Sequence, residues 1–419
     1  MSVAPPGGTV GRMTTTSGTN DTPSLLTRAF VALCLADLAW FVSTGVVVHT
    51  LPLHVTGPLR GGEAAAGLAF GAFAVSALLL RPLAGRMADT WGRVPLLVAG
   101  ATLCAACLVL MPYAGGVAVV VTLRVVLGVA EAAFFVASMA ALMDLAPPGR
   151  TGEAISYNSL ALYSGLAVGP LLGELLLRSS GFPAAWWGAA ALAGAAGLIA
   201  LLLAGHLAPL PARREVPGSG RAPLIHRASL PVSMAFLCSV VAMGGFLAFA
   251  ALHARTLGLP ASLPVAVYGA VVVVLRVAFA RLPDRVRPLT LGMVALVLSA
   301  AGLTVMSLAP SAVGLLVGTV VLGAGVAFST PAFFAAVFAG VPAQERGAAS
   351  GTASAGLDLG LGAGPMVLGV VAAHQGLDTA FALAAAVALA GAGWVLHLRR
   401  RGAAQPSSAR TTSVAASTS

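Results

Sequence analysis

Residues 288–344 contain no Asp, Glu, Lys or Arg, and neither do residues 94–123. A helix crossing the hydrocarbon core of a bilayer needs about 20 mostly apolar residues, so each run is long enough for at least one crossing. Charged residues make up 9% of the 419, against about 25% in a soluble domain, and the mean hydropathy is +0.95. A water-exposed globular surface is excluded, and the main solvent of this chain is lipid. The 50 glycines and many alanines suit membrane helices, where small residues let backbones approach.

The formal net charge is +10 and Lys is absent, so Arg supplies all of the positive charge. In a soluble protein such a balance would suggest nucleic acid. Here the arginines sit at the ends of apolar segments and no basic run carries interleaved aromatics, so no nucleic-acid partner is expected. Cys34, Cys104, Cys107 and Cys238 all lie in apolar stretches. The Cys104-x-x-Cys107 spacing lacks a ligand set, and buried Cys behaves as a small hydrophobe. Neither a metal site nor a cofactor is expected. Residues 1–28 are rich in Gly, Thr, Ser and Pro without an apolar core, which predicts a disordered cytoplasmic tail rather than a signal peptide.

Twelve apolar segments can be placed, near 29–53, 64–84, 94–113, 116–143, 153–177, 184–207, 229–252, 264–281, 289–309, 312–338, 349–373 and 378–398. The longest polar interruption, Pro209 to Arg227, divides them. The expected organisation is a tail (1–28), a six-helix bundle (29–207), a cytoplasmic linker (208–228), a second six-helix bundle (229–398) and a tail (399–419). With both termini inside, seventeen arginines fall in inner segments and three, Arg60, Arg178 and Arg255, in outer loops, the bias the positive-inside rule expects. One offset of 195 residues carries Arg81 to Arg276, Arg86 to Arg281, Asp89 to Asp284, Gly128 to Gly323, Gly165 to Gly360, Gly169 to Gly364 and Pro170 to Pro365. Duplicated halves with a substrate site between them near the midplane are the plan of many secondary carriers.

The stretch Gly85-Arg86-Met87-Ala88-Asp89-Thr90-Trp91-Gly92-Arg93 follows the pattern G-x-x-x-D-x-x-G-R. Leu123-Arg124-Val125-Val126-Leu127-Gly128 contains R-x-x-x-G, and the fifth segment carries Gly165-x-x-x-Gly169-Pro170-x-x-Gly173. In these residues the chain resembles the major facilitator superfamily, and within it the twelve-span drug:proton antiporters, over about residues 28–398. It departs from the family pattern at Val94, where a second basic residue is usual, and at Glu174, which replaces a final glycine. The resemblance implies an all-α membrane protein of twelve transmembrane helices in two pseudo-symmetric halves. It further implies a conformational latch at Gly85, Asp89, Gly92 and Arg93, with Asp89 meeting the N-terminus of the eleventh span near Ser350, where the helix dipole favours an anion. The glycines there are expected to form a tight cytoplasmic turn. It links Arg124 to proton movement, and the glycines and Pro170 of the fifth segment to export rather than import.

An ionisable residue at mid-bilayer costs roughly 2.5–3.5 kcal/mol on insertion scales and is functional by default. Asp37, Arg124, Glu131 and Asp358 are the candidates. Asp37 falls near the centre of the first segment, while Arg124 and Glu131, seven apart, share a helix face. If the first and fourth spans touch, as the family fold implies, the three form a carboxylate–arginine–carboxylate set. Asp37 is then the main proton carrier, Arg124 its tuning partner and Glu131 an auxiliary carrier or counter-ion. Asp358 would contact a cationic substrate or pair with an arginine such as Arg276. Trp40, Phe41, Asn158 and Phe333 are expected to line the cavity. Glu174 and Arg178, four apart, read as a surface ion pair.

No H-E-x-x-H, G-x-S-x-G or nucleotide-binding loop is present, so neither an enzyme nor a primary pump is expected. The expected function is proton-coupled export of a small amphipathic or cationic compound by a monomeric carrier in the plasma membrane, its partners being substrate, protons and lipid. Proton-driven import of a metabolite is the alternative.

Overall fold

The computed structural model describes residues 25–147, 150–205, 226–279, 282–339, 341 and 345–403. All regular structure among them is helical: α1 (Arg28–Thr56), α2 (Gly62–Trp91), α3 (Arg93–Leu110), α4 (Val117–Leu145), α5 (Thr151–Leu202), α6 (Leu230–Thr256), α7 (Leu263–Ala278), α8 (Leu282–Arg285), α9 (Pro288–Leu308), α10 (Ala312–Phe338), α11 (Arg346–Gln375) and α12 (Leu377–Ala403). Ten of these are long and apolar enough to cross a membrane by length and composition, and α7 is a shorter apolar helix. Helix starts follow local chemistry. Thr27 and Ser311 cap α1 and α10 through hydroxyls that accept from the backbone N–H of Phe30 and Gly314, and proline stands in the first turn of α6, α7 and α9.

At 52 residues, α5 as a straight rod would run ~78 Å, more than twice a ~30 Å hydrocarbon core. It breaks at Gly181, whose φ of 77° and ψ of −173° are not helical and suit a residue without Cβ. Both arms return to α1: Gly173 lies against His49 on the first, and Trp186 donates to His54 on the second.

Expected and observed edges differ where polar residues continue a helix. Helix α2 runs through Gly85, Arg86 and Asp89 to Trp91, so the presumed loop is mostly helical. Only Gly92, with φ 93°, makes the turn into α3. Leu25 is buried, and His226 donates its backbone N–H to Thr352 Oγ1 at 2.8 Å, so the tail and linker both end in packed residues. Residues 1–24, 206–225 and 404–419 of the expected tails and linker lie outside the described residues.

Helices α1–α5 pack chiefly on one another, as do α6–α12, and the two groups meet along α2 against α11 and α5 against α7. Glycine makes these contacts close. A Cβ on Gly169 would sit 2.5 Å from the Val42 carbonyl of α1, and one on Gly269 of α7 2.5 Å from the Ala167 nitrogen of α5. On α2 and α11, Gly67 and Gly369 touch, as do Gly71 and Gly362. Gly85 and Gly351 lie five turns further along the same two faces, yet a Cβ at either would meet nothing within 4 Å. Among the described residues the seam is a wedge, closed at Gly67 and Gly369 and without contact at Gly85 and Gly351.

Gly169→Leu is expected to force α1 and α5 apart, costing about 1–3 kcal/mol or more, whereas Gly194→Ala, which meets open space, should be neutral. Melting temperatures of detergent-purified variants check this, and equal melting of the two would refute the packing account.

Candidate functional site

Helix α4 places a polar residue every seventh position, Arg124, Glu131 and Ser138, and that spacing keeps them on one face. Ser138 Oγ donates to Asp37 Oδ1 at 2.6 Å, and Asn158 Nδ2 of α5 donates to Oδ2 at 2.9 Å. Asp37 is 1% exposed. Its carboxylate is therefore satisfied by two neutral donors. One turn along α1, Trp40 Nε1 donates to Glu131 Oε2 at 3.1 Å, while its ring stacks on Phe134 with centroids 4.0 Å apart and planes 6° from parallel. Arg124 donates to the carbonyls of Ala69 and Phe70 at 3.0 and 3.2 Å, with its guanidinium 4.3 Å over the ring of Phe73. It is anchored to α2.

Asp37, Arg124 and Glu131 thus share helix contacts but not the expected direct set. Among the described residues no ion pair joins Arg124 to either acid, because backbone carbonyls occupy its guanidinium and two neutral groups occupy Asp37. Arg124 and Arg81 do lie near enough to Glu131 to act on it electrostatically.

The strongest polar contact crosses the seam. Arg81 of α2 meets Asp358 of α11 twice, Nε to Oδ2 at 2.7 Å and Nη2 to Oδ1 at 2.8 Å, a two-pronged geometry that suits guanidinium and carboxylate. The Arg81 guanidinium also lies 4.9 Å over the Phe135 ring. Asp358 therefore pairs with Arg81 and not with Arg276. Arg276 of α7 reaches across the other side of the seam, 4.5 Å over the ring of Tyr163 in α5. The 195-residue offset that aligns Arg81 with Arg276 also aligns Tyr163 with Asp358. The two crossings are equivalent by sequence and differ in chemistry.

Other expected site residues are accounted for differently. Phe41 is buried at the α1–α5 crossing beside Gly165. Phe333 is fully buried against Phe236 and Gly292. Both fill the core instead of lining a cavity, because α1 approaches the Gly165-x-x-x-Gly169 face so closely that Phe41 has no free side. Trp40 and Asn158 belong to the Asp37–Glu131 ladder. Gly173 is looser against His49 than Gly169 is against Val42, and no backbone break falls at Pro170. Arg93 opens α3, bonds the Ala88 carbonyl at 2.6 Å and pairs with Asp144 at 3.0 Å. The Asp89 side chain, and with it the expected contact to α11, lies outside the described residues, and Gly85 faces open space. Glu174 pairs with Arg178 at 2.6 Å as its spacing suggested, but also with the buried His49 at 3.0 Å.

Sequence reasoning missed Arg81 as the partner of Asp358, His49 as a partner of Glu174, and Ser138 altogether. The seven-residue spacing on α4 was the available signal for Ser138. Among the described residues no cluster of three His, Cys, Asp or Glu side chains could hold a metal ion.

Among the described residues, ten helices long and apolar enough to cross a membrane, with an ion pair between two of them, define a polytopic membrane protein, and comparison identifies the family. Residues 29–352 and 293–418 match the model of the Major Facilitator Superfamily. An uncharacterised MFS-type transporter of Salmonella typhimurium is 30% identical over 380 residues, covering 86% of this chain and 94% of its own. By fold the chain is similar to the POT family transporter PepTSo (TM-score 0.74, 12% identity, 90% of this chain and 99% of that one) and to the nucleoside transporter NupG (TM-score 0.69, 16% identity, 89% and 100%). The chain belongs to the Major Facilitator Superfamily. It is a multi-pass membrane transporter and not an enzyme.

Removing one member of the Arg81–Asp358 pair strands a charge, most severely if the buried Asp358 carboxylate is the one left behind. Asp358→Leu and Arg81→Met are each expected to destabilise by up to about 3–5 kcal/mol, while the double variant recovers most of the loss. A double-mutant cycle on thermal unfolding checks this, and strict additivity would mean that the pair contributes no coupling.

Proposed function

We propose that this carrier is a proton-coupled exporter of a small amphipathic compound, or of a cationic one, working by alternating access in the bacterial inner membrane. It crosses the membrane twelve times, counting the two arms of α5 and the shorter α7, as two six-helix halves with both termini cytoplasmic. The arginine distribution supports this orientation. In that orientation the wedge opens to the cytoplasm, and the glycine contacts between α2 and α11 close the outer side.

The observation that carries the coupling is Asp37. A buried carboxylate held by a hydroxyl and an amide can gain or lose a proton by rearranging two neutral hydrogen bonds, without stranding a cation. Asn158 and Ser138 are then positioning residues. From Asp37 the ladder runs through Trp40 and Glu131 toward Arg81, whose pairing with Asp358 holds the halves together in this state. A change of protonation at Asp37 then bears, through this ladder, on the pairing that holds the halves together. The resemblance of Gly165 to Gly173 to the antiporter signature supports export. The element Gly85, Asp89, Gly92 and Arg93 is proposed to close the cytoplasmic side in the opposite state, with Arg93 already held by Asp144.

Inside-out vesicles energised to an acid interior test the reading with a panel of lipophilic cations, neutral drugs and amphipathic acids. Compound-triggered proton release is expected in wild type and abolished in Asp37→Asn, with the variant still present and folded. Proton-driven transport that persists in Asp37→Asn would overturn the assignment, and compound-triggered proton movement in the opposite direction would make the protein an importer.

A further inference from the structure

Three arginines lie within membrane-spanning helices, and each has a different fate. Arg81 has the carboxylate of Asp358, and Arg124 has two backbone carbonyls. Arg276 donates Nε to the Ala327 carbonyl at 3.0 Å, but its Nη2 is buried without a hydrogen-bond partner, and no ion pair joins it to any described acid. Beside it stands a second orphan. Tyr268, on the same helix, is 0% exposed and its hydroxyl is buried with no partner. Both border the ring of Tyr163. The Tyr163 ring lies 4.5 Å from the guanidinium and 6.4 Å from the Tyr268 ring, and Phe246 packs 5.3 Å from Tyr268 on the far side.

A buried donor without an acceptor costs about 1–3 kcal/mol, more when charged. Two such donors side by side form an incomplete site. The duplication shows what is missing: where the Arg81 crossing places Asp358, the Arg276 crossing places Tyr163. A counter-ion fills one of two equivalent positions, and an aromatic wall fills the other.

We propose that Arg276, Tyr268 and Tyr163 bind the carboxylate of an amphipathic substrate, which supplies the counter-ion absent at this crossing. The guanidinium and the Tyr268 hydroxyl donate to the two oxygens, and the buried rings of Tyr163 and Phe246 move aside to admit the adjoining apolar part. Arg276 lies near the end of α7 that faces the open side of the wedge, so an entering anion meets the charge before the hydroxyl. The inference names a substrate class for the exporter proposed above and rests on that reading only for what becomes of the bound compound.

The test uses the purified full-length carrier with phenylbutyrate, phenylbutyramide and phenylbutylamine, three probes sharing one apolar body. Binding is read as thermal stabilisation. Phenylbutyrate is expected to stabilise the wild type and the other two are not. Tyr268→Phe removes only an unbonded hydroxyl, so its melting temperature without probe should match wild type, while its affinity for phenylbutyrate falls about tenfold or more, the loss of one hydrogen bond to a charged group. Arg276→Gln should abolish the preference for the acid. Equal binding of the three probes, no binding of phenylbutyrate, or undiminished binding in Tyr268→Phe overturns the site. Counterflow in proteoliposomes separates the two readings. Export of amines alone, unaffected in either variant, overturns the site and leaves the exporter; carboxylate binding with no proton-coupled counterflow supports the site and overturns the exporter.

Discussion

Helices in hydrocarbon gain nothing by burying one apolar surface against another, because lipid tails are as apolar as leucine. What holds this molecule is backbone meeting backbone at small residues. The same device recurs where α1 crosses α5 at Gly45, Gly165 and Gly169, and where α2 crosses α11 at Gly67, Gly71, Gly362 and Gly369. A contact made without interlocking side chains gives the halves no ratchet to climb when they rock. It can stay closed at one end while the other opens, and the wedge between α2 and α11 has that form. Dispersion supplies the cohesion, so each missing methylene matters, and a Cβ at the crossing is excluded.

Against that apolar background the few polar groups decide specificity. The two arginine crossings lie at equivalent positions of a duplicated sequence yet differ in strength and reversibility. Arg81 and Asp358 form a two-pronged ion pair whose carboxylate is buried; separating them leaves two charges to be resolved. Arg276 over Tyr163 is a cation on an aromatic face, worth about 0.5–2 kcal/mol, and parting them strands nothing new because Arg276 is already short of a partner. One crossing therefore resists opening, and the other is a hinge side where a ligand can take the place of a neighbour. Duplication followed by divergence, at this contact among others, thus gives a repeated scaffold two unlike sides.

Much of this was legible in the sequence. The apolar segments were placed to within a few residues, because the hydrocarbon core imposes a minimum length on every crossing and the chain has little polar residue to spare. Helix ends were less legible. Nothing in Gly85 to Trp91 marks a stop, and a helix continues beyond the bilayer when its residues permit, so only the positive φ of Gly92 ended it. The break at Gly181 was visible only as a gap between two apolar runs. The intramembrane charges were identified one by one, since their cost singles them out, but their pairing was not. Asp37 finds its partners 101 and 121 residues away, and Arg81 finds Asp358 at a separation of 277. Those encounters depend on how each helix is rotated about its axis, which period and depth do not fix.

The α4 stripe shows how local pattern and distant pairing combine. Arg124, Glu131 and Ser138 follow from spacing alone as one face, yet the face looks in three directions: to the α2 backbone, to Trp40 and to Asp37. Because Arg124 fixes α4 against α2, the stripe cannot turn freely when the Asp37 carboxylate changes its hydrogen bonds. A rearrangement at Ser138 must pass along α4 to Phe134, stacked flat on Trp40, and to Glu131, which shares its field with Arg81. In the proposed cycle the proton site then reaches the seam through rigid packing across two helical turns, and not through a mobile chain of charges. Arg124 on the carbonyls of Ala69 and Phe70 ties α4 to α2, and the Trp40 bond to Glu131 ties α4 to α1, so a change at Asp37 bears on all three helices.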